Sequence, residues 1–311
     1  MRGPPAERSP AELLAFGVVN LDKPPGPSAH EVTGWLRDEA AATVAAAAPE
    51  GPTVDRAGHA GTLDPTVTGS LPVLLGDATR LAQVFADSCK EYVAVLELHG
   101  PAPSDFSSVL AEFEGEIYQK PPRKSAVRRR LRTRTVHELD VLDRRDRRAL
   151  LRIRCGAGTY VRKLCHDLGL ALGTGAHMGD LRRSAAGPFD DTTLVTAEAV
   201  VDALAVWRED GDPDWLREIV RPAERALSGL PRVIVAPSAA EQIAHGAPVY
   251  APGVIGTEPA PGGTPVPDPG DDASVACYTP DGAVVCLGRL AGDPGADSGR
   301  VVALDRVLVS P

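Results

Sequence analysis

A single carboxylate set in a glycine-punctuated stretch is where this sequence first offers chemistry. Asp64 lies within Gly58-His59-Ala60-Gly61-Thr62-Leu63-Asp64-Pro65-Thr66-Val67-Thr68-Gly69-Ser70-Leu71-Pro72. Pro65 restricts the residue before it to extended backbone, so Asp64 is expected outside any helix. The glycines at 58, 61 and 69 allow tight turns and close approach of something large. One fixed acid with little side-chain bulk around it suits a catalytic aspartate facing a bulky substrate. An isolated Leu-Asp-Pro would read as a surface turn; fifteen ordered residues change that reading.

The second chemical feature is cationic. Seven Lys or Arg fall between 123 and 134: Arg123, Lys124, Arg128, Arg129, Arg130, Arg132 and Arg134. Residues 120–163 hold sixteen Lys or Arg against four Asp or Glu, while the whole chain has a net charge of −9, so the remainder sums to −21. A cationic run is often just a solvated face, but in so acidic a chain its natural use is to neutralise phosphates. The Gly156-Ala157-Gly158 turn does not complete a Rossmann or P-loop pattern.

Taken together, the loop around Asp64, the opening Asn20-Leu21-Asp22-Lys23-Pro24-Pro25-Gly26, Lys90-Glu91-Tyr92, Gly158-Thr159-Tyr160-Val161-Arg162 and Gly179-Asp180-Leu181-Arg182-Arg183 resemble the TruB/dyskerin family of RNA pseudouridine synthases. The resemblance implies that Asp64 is the catalytic acid, with Arg162 pairing with it and aiming it. It implies that Tyr92 stacks on the target base and accepts its C5 proton. His59, Tyr160 and Leu181 would line the pocket, and Lys23 and Pro24 would support the loop. Arg182 and Arg183, with the run Arg123, Lys124, Arg128, Arg129 and Arg130, would contact RNA backbone. Asp64 would either attack C1′ or abstract the 2′ proton; the residues do not separate these.

The same resemblance implies an α+β fold: a pseudouridine-synthase mixed sheet flanked by helices, then a small β-barrel-like PUA domain. Neither metal nor organic cofactor is implied. The short passage from Ser125-Ala126-Val127 to Thr135 is similar to the archaeal and eukaryotic dyskerin branch. This points to an H/ACA guide RNA, ribosomal RNA as substrate, and three partners: a small zinc-ribbon Nop protein, a Gar-type protein and a kink-turn-binding ribosomal-type protein. The alternative is a guide-free enzyme acting on the TΨC-loop uridine of tRNA.

Several elements must position these residues. Gly17–Leu21 is expected as a strand, and Ser28 as the start of a helix through Val32 and Trp35. Residues 39–55 are expected to extend that helix and end in a surface loop. Residues 77–85 have helical spacing, and residues 90–98 alternate as a strand with Tyr92, Ala94, Leu96 and Leu98 on one face. Residues 149–155 form a further strand leading through the glycine turn into a helix. Helices are expected over 196–207 and 213–219, then a linker near Pro222. The predicted divisions are a flexible N-terminus (1–16), a catalytic domain (17–230) and an RNA-binding domain (231–311). Within the last, residues 255–274 are expected as an irregular insertion, and a hairpin should turn at Pro280-Asp281-Gly282.

The chain has 311 residues, enough for two cores. It lacks a run of about 18 apolar residues and an apolar leader, so a cytoplasmic protein without a membrane span is expected. Five cysteines without Cys-x-x-Cys spacing read as reduced structural thiols. An acidic surface with so few lysines suits a salt-adapted cytoplasm, and a GC-rich genome would also favour Arg over Lys.

Overall fold

The computed structural model describes residues 2–59, 61–121, 128 and 130–309. Ser9 opens the first helix, α1 (Pro10–Ala15): its hydroxyl accepts the Glu12 N–H while the Glu12 carboxylate accepts the Ser9 N–H. The helix packs directly on strand β1 (Phe16–Lys23), and Gly17 is why it can. A Cβ at that position would lie 2.2 Å from the Leu13 carbonyl oxygen. The expectation of a flexible 1–16 therefore fails. Leu13 and Leu14 are buried, and Arg8 is 2% exposed because Glu224, far along the chain, grips its guanidinium. Local composition carries no trace of that distant partner.

A second capping box, Ser28 with Glu31, starts α2 (Ala29–Ala47). There follow β2 (Ala57–His59), β3 (Thr68–Gly76), α3 (Ala82–Asp87), β4 (Lys90–Leu98), α4 (Phe106–Ala111), β5 (Gly115–Gln119), β6 (Arg132–Arg145) and β7 (Arg148–Cys155). Then come α5 (Val161–Ala171), β8 (Ala176–Ala186), β9 (Phe189–Asp190), α6 (Ala197–Asp210), α7 (Asp214–Ile219) and β10 (Arg221–Pro222). Between β3 and α3, residues Asp77–Leu81 form a 3-10 turn, so the helix expected over 77–85 is split in two. The expected linker at Pro222 is instead a short strand closing the edge of the sheet against Gly17.

The ten strands form one mixed sheet in the order β10-β1-β3-β8-β4-β7-β6-β5, with β2 added to β3 and β9 to β8. Its centre is the parallel contact of β3 with β8, where Thr68 pairs with Arg182 and Gly69 with Arg183. Gly69, at φ +97°, permits this approach; a Cβ would lie 2.2 Å from the Arg183 carbonyl oxygen. Helices α2, α5 and α6 bury their apolar stripes with Ala94, Leu96, Leu151 and Ile153 in the main core.

The chain then builds a second sheet from β11 (Arg232–Val235), α8 (Pro237–Ala244), β12 (Val249–Tyr250), β13 (Val254–Glu258), β14 (Ser274–Tyr278), β15 (Val284–Leu290) and β16 (Arg300–Val307). The strand order is β12-β16-β15-β14-β11-β13. The β14–β15 hairpin turns with Gly282 at φ +86°. Residues 254–258 are a strand paired with β11, which corrects the reading of 255–274 as wholly irregular. A shared apolar cluster joins the sheets: Phe16, Val18, Leu74 and Leu227 with Ala276, Tyr278, Val284 and Leu308. Among the described residues no helix is long and apolar enough to cross a membrane.

Candidate active site

Asp64 sits in the connection between β2 and β3, outside any helix, with its carbonyl oxygen accepting the Val67 N–H at 3.0 Å. The loop is held from below by Lys23, which is 0% exposed. Its ammonium donates to the carbonyls of Pro24 (2.8 Å), Pro65 (2.9 Å) and Val67 (3.0 Å). Three donors meeting three convergent carbonyls fix the backbone on the C-terminal side of the acid. Burial lowers the Lys23 ammonium from its ordinary value, with the nearby Asp64 charge opposing that shift.

The Asp64 carboxylate is paired with the guanidinium of Arg162, both side chains being about half exposed. Arg162 rides on the first turn of α5, which is anchored by Gln119 at the end of β5. Gln119 Oε1 accepts the Tyr160 N–H at 2.9 Å and its Nε2 donates to the Tyr160 carbonyl at 3.2 Å. Exposed ion pairs add little stability, so this one is better understood as aiming the acid.

Arg183 overturns its expected role as an RNA-backbone contact. It is 1% exposed, and its Nε donates to the Ser70 carbonyl at 2.7 Å and its Nη2 to the Gly61 carbonyl at 3.1 Å. Its charge also acts on the Tyr92 phenol, which lies directly opposite across β4–β8. Arg182, on the other face of β8, forms a bidentate pair with Asp22 at 2.9 Å for both bonds and stays partly exposed. Strand alternation sends neighbouring arginines to opposite faces. Leu181 pairs with Ala94 and shares its face with Arg183 and Tyr92.

Burial pushes the Tyr92 phenol up, and Arg183 pulls it back. His59 pairs with Val73, and its Nδ1 is buried without a hydrogen-bond partner. Burial, with Arg183 and His30, lowers its imidazolium, which leaves a neutral ring. Arg128 and Arg130 are exposed; Arg123, Lys124 and Arg129 lie outside the described residues. The Asp64–Arg162 pair and Arg183 are linked through the loop backbone, which Arg183 holds at the carbonyls of Gly61 and Ser70 on either side of Asp64, and Tyr92 lies opposite Arg183.

Three segments match known families: residues 3–33 the DKCLD (NUC011) domain, residues 51–105 the N-terminal domain of TruB family pseudouridylate synthases, and residues 162–228 the C-terminal domain of tRNA pseudouridylate synthase B. A probable tRNA pseudouridine synthase B of Haloarcula marismortui is 62% identical over 309 residues, 99% of this chain and 94% of that protein. A protein of the same name from Methanopyrus kandleri is 42% identical, over 99% of this chain and 87% of that one. Among solved structures, a Cbf5-Nop10-Gar1 complex contains a chain with TM-score 0.87 and 40% identity, covering 99% of this chain and 90% of that one. An H/ACA RNP bound to a substrate RNA containing 2′-deoxyuridine matches with TM-score 0.85 and 39% identity, over 98% and 89%.

Proposed function

This chain belongs to the TruB family of pseudouridine synthases, and from that premise we propose that it isomerises uridine in ribosomal RNA as the catalytic subunit of a guide-RNA H/ACA complex. Pseudouridine formation breaks the C1′–N1 bond, turns the detached uracil and rejoins it through C5. The target nucleotide must leave its stack to reach such a site. In this reading Asp64 engages the ribose, either at C1′ or at the 2′ proton, while Arg162 holds its carboxylate on line. Tyr92 offers a flat π face to the free base and takes the C5 proton. His59, Tyr160 and Leu181 close around the nucleotide, and Arg128 and Arg130, with the rest of that basic run, meet phosphates.

The pairing of Asp64 with Arg162, on a loop braced by Lys23, is the observation that carries the catalytic part. The H/ACA part is supported by likeness, over nearly the whole chain, to a protein solved with Nop10 and Gar1. On that basis the partners are Nop- and Gar-type proteins, with a kink-turn-binding protein on the guide. Residues 231–311 serve as the RNA-binding PUA domain. The relatives' printed names favour a second reading, guide-free modification of tRNA.

The test incubates the full chain with a ribosomal RNA fragment, with or without an H/ACA guide and the three partner proteins, and in parallel with a tRNA transcript. Pseudouridine in the ribosomal fragment only when the guide is present supports the first reading; modified tRNA without guide supports the second. Asp64→Asn should bind RNA as the parent does and make no pseudouridine on either substrate. Product from that variant would remove Asp64 from the catalytic role.

A further inference from the structure

Arg183 is a cation in an unusual place. It is 1% exposed, and among the described residues it has no carboxylate in an ion pair. It donates to two backbone carbonyls, one in the loop and one at the start of β3, and faces one phenol across the sheet. The carbonyls, of Gly61 and Ser70, bracket Asp64 from either side along the chain. The phenol is Tyr92. One guanidinium therefore spans both ends of the catalytic loop and the ring proposed to stack on the base. Gly61 presents its carbonyl to Arg183 from φ +88°, a backbone conformation that favours glycine.

The chemistry of that contact has a direction. A guanidinium only donates, so toward Arg183 the Tyr92 oxygen can act only as an acceptor. The phenol's own proton is then turned away from Arg183, and a phenolate, if formed, faces a fixed positive charge. Charge-assisted hydrogen bonds of this kind favour the ionised acceptor, whereas burial alone would make Tyr92 a poor base.

We propose that Arg183 is a positioning residue that ties Tyr92 to the Asp64 loop and readies its oxygen to receive the C5 proton. This rests on the assignment of Asp64 and Tyr92 above. Once C5 has bonded to C1′, the ring carries N1=C6 and a tetrahedral C5 with its hydrogen. The proton on C5 passes to the Tyr92 oxygen. The C5–H electron pair forms C5=C6, the N1=C6 pair returns to N1, and N1 takes a proton, so the net change is a proton moved from C5 to N1. Arg183 stabilises the oxygen that acts as intermediary and itself gains or loses nothing.

The full chain is tested on RNA transcribed with uridine or 5-deuterated uridine, under the guide-containing or guide-free condition in which the parent turns over. Arg183→Met should lower kcat about 100-fold with KM nearly unchanged, and a primary isotope effect on C5 should appear that the parent lacks. Arg183→Lys, which keeps the charge but spans fewer oxygens, should recover part of kcat. In a Tyr92→Phe background, Arg183→Met should cost much less than in the parent, because only its hold on the loop carbonyls remains to be lost. Loss of rate without an isotope effect, or losses from Arg183 and Tyr92 that multiply, would overturn the proposal. If Arg183→Met does not fold, Arg183→Lys decides: unchanged kcat and no isotope effect overturn it equally. An active Asp64→Asn variant would instead sink the underlying site assignment, so the two failures are distinguishable.

Discussion

Replacing Arg8 by methionine should damage this protein far more than its position near the N-terminus suggests. The guanidinium forms two bonds to Glu224, at 2.8 and 2.6 Å, and a third to the Gly3 carbonyl at 3.2 Å. Side-chain exposure is 1% for Arg8 and 9% for Glu224. Glu224 also accepts the Val284 N–H of β15 at 3.3 Å. Removing the arginine leaves a buried carboxylate with one backbone donor, and breaking such a pair costs about 3–5 kcal/mol. Replacing both partners with apolar residues of similar size removes the orphaned charge, so Arg8→Met/Glu224→Leu should lie within about 1 kcal/mol of the parent. Urea unfolding followed by tryptophan fluorescence gives the midpoints, and amide exchange at Val284 reports whether the second sheet loosens. A single variant shifted by less than about 1 kcal/mol, or a double variant as unstable as the single, would refute the reasoning.

Lys90 gives a pH signature. Its ammonium donates to the carbonyls of Phe85 (2.5 Å), Ala86 (3.0 Å) and Ser88 (2.6 Å), yet burial, with Arg183 adding repulsion, lowers it from 10.5 to about 8. Between those values the unfolded chain holds a Lys90 proton that the folded chain has shed, so this residue's own contribution to stability should rise with pH from 8 to 10.5, by about 3 kcal/mol, while the buried Cys155 and Cys165, pushed up to about 11 and about 12, oppose it above pH 9. Lys90→Met should abolish that slope in unfolding midpoints taken at several pH values, and an unchanged slope would reject the assignment. Lys23→Arg should lower kcat about 100-fold with RNA affinity unchanged, because a planar fork cannot aim at three converging carbonyls and the loop must shift. Single-turnover rates beside filter-binding affinities check this, and parental kcat would contradict it.

Much of the site was legible because its constraints are local. Pro65 keeps Asp64 out of a helix, glycines shape the loop, and Ser28 with Glu31 marks a helix start that the structure reproduces. What was not legible depends on register and on distant partners. The resemblance assigned both Arg182 and Arg183 to RNA backbone, and only Arg183 is buried. Strand β8 alternates, and the buried Leu181 already placed residue 183 on the inner face. That parity is the signal that could have found Arg183. Gln119 offered no such signal, since its role depends on the backbone of Tyr160 lying beside it. The ordered N-terminus was hidden for the same reason: Glu224 cannot be paired with Arg8 from spacing alone.

Lysine usage ties these observations together. The chain has 33 basic residues, of which five are lysines. Two of the five, Lys23 and Lys90, are buried, and each gives its ammonium to three backbone carbonyls. A cage of three converging carbonyls suits a compact tetrahedral head with three rotatable donors, which arginine does not offer. Arg183 shows the complementary case: its planar fork joins oxygens from a loop and a neighbouring strand. The choice of cation at each buried position follows the geometry of its acceptors. Lys23 and Arg183 both hold carbonyls next to Asp64 in the chain, and the Lys23 charge also acts on the acid, so one cation there both shapes the backbone and opposes the carboxylate.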